Sequence, residues 1–310
     1  IAPEDARSYQ ELLKNADMAM YRAKKAGRNT IEFFSSDMNI DMQHQMRIEK
    51  ELRQAIKQGD LDLHYQPVVA LDQGSVVAME ALLRWRHDRD GLLRPSRFLD
   101  IAEQTGQLLA IGEWACYNAC LQARVIQTLS DTPVPVSINL SARQYHHPQL
   151  IDTLTRVIEE TRIDPALLCI EVDERILADR MEDSAKVLRQ IKSVGVNLVL
   201  DRFGSGLSSI RLLRELPFDE VKIDRSLIRQ VPDDESACAI VATLVDLARQ
   251  MKLRIIASGV ESPEQVQFLQ SVQCPLAQGH RFCEAIPSAE LGELFQRVRQ
   301  GDPFSIVAPG

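Results

Sequence analysis

Eight polar side chains each follow a short apolar run in this chain, and their chemistry suits divalent cations and a phosphodiester. They are Glu80, Asn139, Glu171, Asp201, Lys222, Asp224, Glu261 and Gln278. Carboxylate and amide oxygens are the ligands that Mg²⁺ prefers, and two such ions can activate water and neutralise a phosphodiester. Any one of these residues could be an ordinary turn residue after a strand. Eight in equivalent positions indicate a shared site.

The elements that must position these residues alternate between strand and helix. Strand-like runs begin near residues 62, 76, 135, 168, 197, 220, 253 and 275. Helical patterns lie between most of them, at 97–129, 148–162, 179–194, 206–215, 235–251 and 262–271. Eight strands alternating with helices predict an α/β fold of the (β/α)8 barrel type, in which the strand ends meet at one rim. Only Asp72-Gln73-Gly74 separates the first two runs, which predicts a hairpin and one antiparallel pair.

The N-terminal part has a different pattern. Tyr9–Lys25 is helical in pattern, and Thr30–Phe34 is typical of a short strand. Residues 35–47 are polar and predict a linker, which enters a helix over about Gln43–Gln58. The predicted organisation is a helix–strand segment at 1–34, the linker, a barrel at 48–300 and a tail at 301–310. The chain begins at Ile1, and we interpret it as a piece of a longer protein.

Composition narrows the function classes. The net charge of −8, without a basic stripe, argues against nucleic-acid binding. No run approaches the ~20 apolar residues that a membrane span needs. The six cysteines lie in apolar stretches without the clustering of a metal site, which fits a reducing, cytoplasmic setting.

The run Glu80-Ala81-Leu82-Leu83-Arg84-Trp85 resembles the signature of the EAL domain family, and the resemblance extends from about residue 48 to 295. Further matching motifs are Tyr65-Gln66-Pro67, Ile101-Ala102-Glu103, Ser137–Arg143, Glu171–Glu174, Asp201–Gly206, Lys222-Ile223-Asp224 and Gln278-Gly279. The resemblance implies a modified TIM barrel with one antiparallel strand that hydrolyses or binds the bacterial second messenger cyclic di-GMP. Residues 16–29 resemble the last helix of a GGDEF (diguanylate cyclase) domain, so the parent is expected to be a tandem GGDEF–EAL protein.

The resemblance also implies a role for each matching residue. Metal ligands, for Mg or Mn, would be Glu80, Asn139, Glu171 and Asp201. Catalytic residues near the attacking water would be Lys222 and Asp224, and Glu174 would steady the loop after Asp201. Ligand contacts would be Gln66, Leu82, Arg84, Asn139, Asp224, Glu261 and Gln278.

Two positions depart from the pattern of active members. Arg202 stands where they carry a second metal-binding Asp, and Ser258 stands where they carry a Glu that acts as general base and metal ligand. The local charge becomes more positive by two units at Arg202 and by one at Ser258. A guanidinium cannot ligate a metal, and a serine hydroxyl is a poor base unless something activates it. Arg202 could instead replace a cation, by pairing with Asp201 or Glu171 or by reaching a ligand phosphate.

Three functions remain open at the level of sequence. The favoured one is a degenerate EAL domain that binds cyclic di-GMP as a receptor or regulatory module. The alternative is an active phosphodiesterase in which Glu261, Glu284 or Asp224 supplies the missing groups. The second alternative is a nucleotide-free protein-interaction scaffold, which the altered segment Cys283-Glu284-Ala285 motivates. Expected partners are cyclic di-GMP, the linked GGDEF domain, a regulatory protein and a second copy of the chain, which would pair through Gly206–Ile210.

Overall fold

A computed structural model describes residues 8–25, 30–177, 181–205, 210–301 and 304. The chain divides into two compact units, residues 1–60 with 93–107 and residues 61–92 with 108–310. All of the predicted site residues belong to the second unit. In the described part of the chain, no helix combines the length and apolar character needed to cross a membrane.

The second unit contains a closed eight-stranded barrel, as the strand–helix alternation predicts. Its strands are β1 (Leu61–Ala70), β2 (Val76–His87), β4 (Val136–Leu140), β5 (Leu168–Asp173), β6 (Asn197–Phe203), β7 (Glu220–Ile223), β8 (Arg254–Ser258) and β9 (Leu276–Gln278). Two short strands, β3 (Gly91–Leu93) and β10 (Ile286–Pro287), lie outside the ring. β1 runs antiparallel to both of its barrel neighbours, β2 and β9, and the other ring pairs are parallel. The predicted hairpin and the single antiparallel strand are therefore confirmed.

The helices of the second unit lie between the strands in sequence, except the last one, which follows β10. They are α4 (Leu108–Leu129), α5 (Ala142–Tyr145), α6 (Leu150–Thr161), α7 (Glu174–Leu177), α8 (Met181–Ser193), α9 (Ile210–Glu215), α10 (Arg225–Ile228), α11 (Glu235–Gln250), α12 (Pro263–Ser271) and α13 (Leu291–Arg299). The first unit contains α1 (Tyr9–Lys25), α2 (Ser36–Gln58) and α3 (Leu99–Gln104).

Alternation along the strands separates two apolar clusters. Because successive side chains of a strand point to opposite faces, every second residue faces the barrel interior. The interior cluster is small and consists of Val68, Ala70, Ala78, Ile256 and Leu276. The residues between them, such as Val69 and Ala277, belong to the large cluster that also contains the helices. The site described below continues the interior set toward the carboxyl ends of the parallel strands.

Three sequence predictions need correction. The strand predicted at Thr30–Phe34 is wrong, since these described residues have no regular secondary structure and pair with no strand. α2 begins at Ser36, seven residues before the predicted helix start at Gln43. The segment predicted as a linker is therefore helical from Ser36. The single helix predicted at 97–129 is interrupted at Gly106, which has a left-handed φ of 76°. Of the stretch predicted to pair in a dimer, Gly206–Ser209 lie outside the described residues.

Candidate functional site

Strand register brings most of the predicted residues to one rim of the barrel. Neighbouring strands place Asn139 beside Glu171, and Ser258 beside Gln278. β1 lies against β2 with Gln66 opposite Glu80. In each pair the residues lie on adjacent strands at the same level, so their side chains point into the same mouth.

The ammonium of Lys222 occupies the centre of this rim. Its side chain is only 3% exposed, and Nζ donates to Glu80 Oε2 at 2.7 Å and to Glu171 Oε1 at 2.5 Å. Burial alone would lower the pKa of Lys222, but the surrounding carboxylates of Glu171, Glu80 and Asp201 raise it well above its ordinary value. The amine is therefore a fixed positive charge between two carboxylates.

Glu80 is held by three donors at once. Oε1 accepts from Asn139 Nδ2 at 2.7 Å, while Oε2 accepts from Gln278 Nε2 at 2.7 Å as well as from Lys222. Burial by itself would raise the pKa of Glu80. The charge of Lys222 and these hydrogen bonds outweigh burial and lower it below its ordinary value. Both oxygens of this carboxylate already face N–H groups.

Glu171 is the deepest acid of the site and lacks a full set of donors. Oε1 accepts from the hydroxyl of Ser137 and from Lys222, whereas the buried Oε2 has no hydrogen-bond partner among the described residues. Burial and the charge of Glu80 raise the pKa of Glu171 to about 8. Glu80 and Glu171 share one ammonium, and Glu171, which has the fewer donors, is the one of the two that takes up a proton more readily.

A second group of charges lies at the ends of β5 and β6. Asp201 is followed by Arg202, whose φ of 59° is left-handed, and the pairing of β6 with β7 shifts register between Leu200 and Phe203. A bulge of this kind redirects a side chain. Arg202 Nε lies 3.4 Å from Asp173 Oδ2 and 3.8 Å from Asp201 Oδ2. The predicted pairing with Asp201 is confirmed as a long contact, but the closer partner is Asp173 rather than Glu171.

Asp173 is the anchor of this second group. It accepts from Arg175 Nε at 2.9 and 3.2 Å and from Arg175 Nη2 at 2.6 Å. Burial would raise the pKa of Asp173, but the hydrogen bonds and charge of Arg175 and the charge of Arg202 lower it. Burial raises the pKa of Asp201, against the opposing effect of Lys222.

Some predicted residues lie away from the central cluster. The carboxylate of Glu261 is half exposed and pairs with Arg229 at 3.6 Å. Asp224 caps α10, because Oδ1 accepts from Ser226 N at 2.8 Å. Ser258 stands at the rim as predicted, and its buried hydroxyl has no hydrogen-bond partner in the described part of the chain.

The remaining predicted residues support the edges of the rim. Gln66 accepts from Gln278 Nε2 at 3.1 Å and donates to the carbonyl of Cys283 at 3.0 Å, which ties the rim to the altered 283–285 segment. Leu82 and Arg84 are half buried further along β2, and Arg84 Nη1 donates to the Leu83 carbonyl at 2.8 Å. Glu174 is buried at the start of α7. The loop that it was predicted to steady lies partly outside the described residues.

Sequence reasoning missed three members of this site. Ser137 donates to Glu171, and Asp173 and Arg175 form the second charge group. Alternation gave a signal for two of them, because Ser137 lies two residues before Asn139 and Asp173 two residues after Glu171 on the same strand faces. No pattern in the sequence indicated that Arg175 turns back onto Asp173.

The residues present do not fit a two-cation centre. Within the described ranges, no three or more Asp, Glu, His or Cys side chains are grouped so as to hold a metal ion. Both oxygens of Glu80 are engaged by donors, and a guanidinium pairs with Asp201. Among the described residues, Glu171 Oε2 and the Ser258 hydroxyl are the buried rim atoms that have no hydrogen-bond partner. Arg202 thus places a positive charge beside Asp201, which the family resemblance gives as a metal ligand.

The chain was compared with known protein families, curated proteins and solved structures. The EAL domain family model matches residues 49–285. The bifunctional diguanylate cyclase/cyclic di-GMP phosphodiesterase MucR of Pseudomonas aeruginosa is 39% identical over 289 residues, which are 93% of this chain and 42% of MucR. The cyclic di-GMP phosphodiesterase NbdA of the same organism is 35% identical over 297 residues, 96% of this chain and 38% of NbdA.

The comparison with solved structures agrees with the match to the EAL domain family model. The structure described as the PaMucR phosphodiesterase in complex with c-di-GMP superposes with a TM-score of 0.76 at 37% identity, and covers 79% of this chain and 99% of that one. The EAL enzyme Bd1971, bound to cAMP and cyclic di-GMP, gives a TM-score of 0.78 at 27% identity, with 94% and 77% coverage. The chain spans about two fifths of the length of the two curated relatives.

Proposed function

Because the chain belongs to the EAL domain family, we propose that its barrel binds cyclic di-GMP as a regulatory module and does not hydrolyse it. One observation carries the proposal: Arg202 pairs with Asp173 and Asp201 at the position where active family members carry a metal-binding Asp. A positive guanidinium at this point opposes a nearby cation instead of ligating it.

The state of the general-base position supports the same conclusion. Ser258 occupies it, and among the described residues no base hydrogen-bonds to the Ser258 hydroxyl. Removal of one general base costs roughly 10²–10⁴-fold in rate. Of the three residues that could compensate, Glu261 pairs with Arg229, Asp224 caps α10, and Glu284 is exposed on the altered segment.

Ordered side chains at the rim support the proposed recognition of the ligand. Glu80, Asn139 and Gln278 hold one another in place through hydrogen bonds of 2.7 Å. Gln66 is fixed by Gln278 and by the Cys283 carbonyl. Side chains that are ordered before the ligand arrives lose less entropy on binding. Binding would shift a neighbouring domain or partner only if cyclic di-GMP has different affinities for two conformations of the protein.

The second candidate is an active phosphodiesterase that needs Mg²⁺ or Mn²⁺. Its support comes from the relatives, because MucR and NbdA both carry phosphodiesterase in their names. The loss of two chemical groups at Arg202 and Ser258 argues against it. A nucleotide-free scaffold is the third candidate, and the altered segment beside Gln66 is its only support.

Calorimetry combined with product analysis separates the three functions. Cyclic di-GMP is titrated into the domain in EDTA, and in separate titrations with Mg²⁺ and with Mn²⁺, and the samples are then chromatographed. Saturable binding in EDTA with only intact ligand recovered is expected. Linear dinucleotide formed above background would overturn the proposal in favour of the phosphodiesterase, and no heat under any condition would favour the scaffold.

The wider setting of the barrel stays a prediction. We propose that the N-terminal segment comes from a GGDEF domain of the same protein, that a second copy and a regulatory protein are partners, and that the setting is cytoplasmic. Size measurement of the chain by light scattering, with and without cyclic di-GMP, tests the predicted homodimer.

A further inference from the structure

Two guanidinium groups meet on one carboxylate at the ends of β5 and β6. Arg175 binds Asp173 through Nε and Nη2, and Arg202 approaches the same Oδ2 atom through Nε at 3.4 Å. Since Arg175 Nη2 lies 2.6 Å from this oxygen, the two arginine nitrogens are separated by no more than the two distances together, about 6 Å. The anchor Asp173 is only 18% exposed, whereas Arg175 is 68% and Arg202 51% exposed.

We infer that Arg175 and Arg202, held by Asp173, form a metal-independent site for a phosphodiester group. The inference rests on the proposed function, because the group in question is a phosphate of the cyclic dinucleotide. It goes beyond that function by naming the residues that take over the neutralisation of phosphate. Arg175 belonged to none of the positions that the family resemblance implied.

The two arginines keep donors available for such a group. A guanidinium has five N–H donors, and Asp173 engages only Nε and Nη2 of Arg175. Arg202 makes contacts of 3.4 and 3.8 Å, and its side chain donates no hydrogen bond among the described residues. Oxygens of one phosphate group can accept from both arginines, since the fork of a guanidinium matches phosphate geometry.

The local backbone explains why Arg202 reaches this place. In a regular strand Arg202 would point away from the face that carries Asp201. Its left-handed φ of 59° and the register shift after Leu200 break that alternation and bring the guanidinium back toward Asp173. Asp173 holds Arg175 by hydrogen bonds and attracts Arg202 by its charge, and this ordering reduces the entropy lost when a phosphate binds.

The test uses the full chain in EDTA with two ligands, cyclic di-GMP and pyrophosphate. Binding of each is measured by calorimetry, and the Nε–H signals of the arginines are followed by NMR. The variants are Arg175→Gln and Arg202→Gln, with Arg175→Lys and Arg202→Lys to keep the charge but remove the fork. The control is Arg156→Gln, another exposed arginine, which pairs with Glu113 at 2.7 Å on the helical exterior.

Each Gln variant is expected to weaken cyclic di-GMP binding roughly ten- to a hundredfold, as loss of a charge-assisted hydrogen bond predicts. The Lys variants should fall between wild type and Gln, the control should match wild type, and pyrophosphate should shift both arginine signals. If the wild type binds cyclic di-GMP and the Gln variants bind it equally well, the inference is overturned and the proposed function stands. If the dinucleotide does not bind but pyrophosphate still shifts both arginines, the proposed function fails and the phosphate site stands. Absence of both effects overturns both.

Discussion

Replacement of Lys222 by Met tests the centre of the site through its effect on stability. The change removes the ammonium but fills most of its volume, so the two hydrogen bonds to Glu80 and Glu171 are lost with little cavity formation. The Lys222 and Glu171 side chains are 3% and 1% exposed. Breaking a buried ion pair by removing one partner costs about 3–5 kcal/mol, because the other charge stays buried without a partner.

The structure narrows this range to its lower end. Glu80 keeps its hydrogen bonds from Asn139 and Gln278. Glu171 keeps the Ser137 hydroxyl and can take up a proton in place of the lost partner. We therefore expect Lys222→Met to lower the free energy of unfolding by about 3 kcal/mol.

Lys192→Met is the matched control. Lys192 contacts Asp219 at 2.7 Å, the same distance as Lys222 to Glu80, but these two side chains are 31% and 35% exposed. An exposed pair contributes about 0–1 kcal/mol. The two variants thus differ in the burial of the ammonium and in the number of carboxylates that it contacts, one for Lys192 and two for Lys222.

Urea unfolding followed by tryptophan fluorescence provides the assay. The two tryptophans, Trp85 in β2 and Trp114 in α4, both belong to the barrel unit, so the signal reports on that unit. Addition of Glu171→Gln to Lys222→Met should restore part of the lost stability, because it removes a buried carboxylate. Equal losses in Lys222→Met and Lys192→Met would refute the reasoning that a buried ammonium organises this rim.

Three further predictions concern the gaps, the metal and the loop beside the rim. The double variant Arg202→Asp/Ser258→Glu should gain Mg²⁺-dependent cleavage of cyclic di-GMP by chromatographic assay; a folded variant without cleavage would show that these two positions are not the main lesion. Mg²⁺ should leave the Tm of the wild type unchanged in calorimetric scans and raise that of this double variant, and a similar rise in both would contradict the predicted loss of metal binding. Gly279→Ala should unfold or strongly destabilise the barrel, since a Cβ there would lie 2.1 Å from the Val260 carbonyl oxygen. The control is Gly292→Ala in α13, where an added Cβ would meet no atom within 4 Å; its free energy of unfolding should stay the same or rise by up to about 1 kcal/mol. Equal urea midpoints for the two alanine variants would contradict the predicted crowding at Gly279.

The barrel was accessible from sequence because its signals are local. The strand runs are short and apolar, and the three-residue connection between the first two runs permits only a hairpin. The helix at 97–129 was predicted too long because apolar residues continue past Gly106, where the backbone turns into the left-handed region. Thr30–Phe34 has the composition of a strand, but a strand also needs a partner, and the described residues provide none there.

The site was accessible only in part. Strand ends identify which residues reach the rim, and the register confirms that Asn139 and Glu171 are neighbours. Residue type and spacing do not indicate which hydrogen-bond donor each carboxylate accepts from. The pairing of Arg202 with Asp173 depends on a left-handed backbone at a bulge, and the outward contact of Glu261 depends on Arg229 from a different loop. Such contacts follow from tertiary geometry and not from spacing.

Single-turnover analysis of the wild-type chain tests the central claim most directly. Labelled cyclic di-GMP is mixed with an excess of the domain in Mg²⁺, unbound label is removed, and the retained label is chromatographed over time. The account predicts that label is retained and recovered as intact cyclic dinucleotide at every time point. Recovery of linear dinucleotide that increases with time would show that Arg202 and Ser258 do not prevent hydrolysis, and would contradict the account.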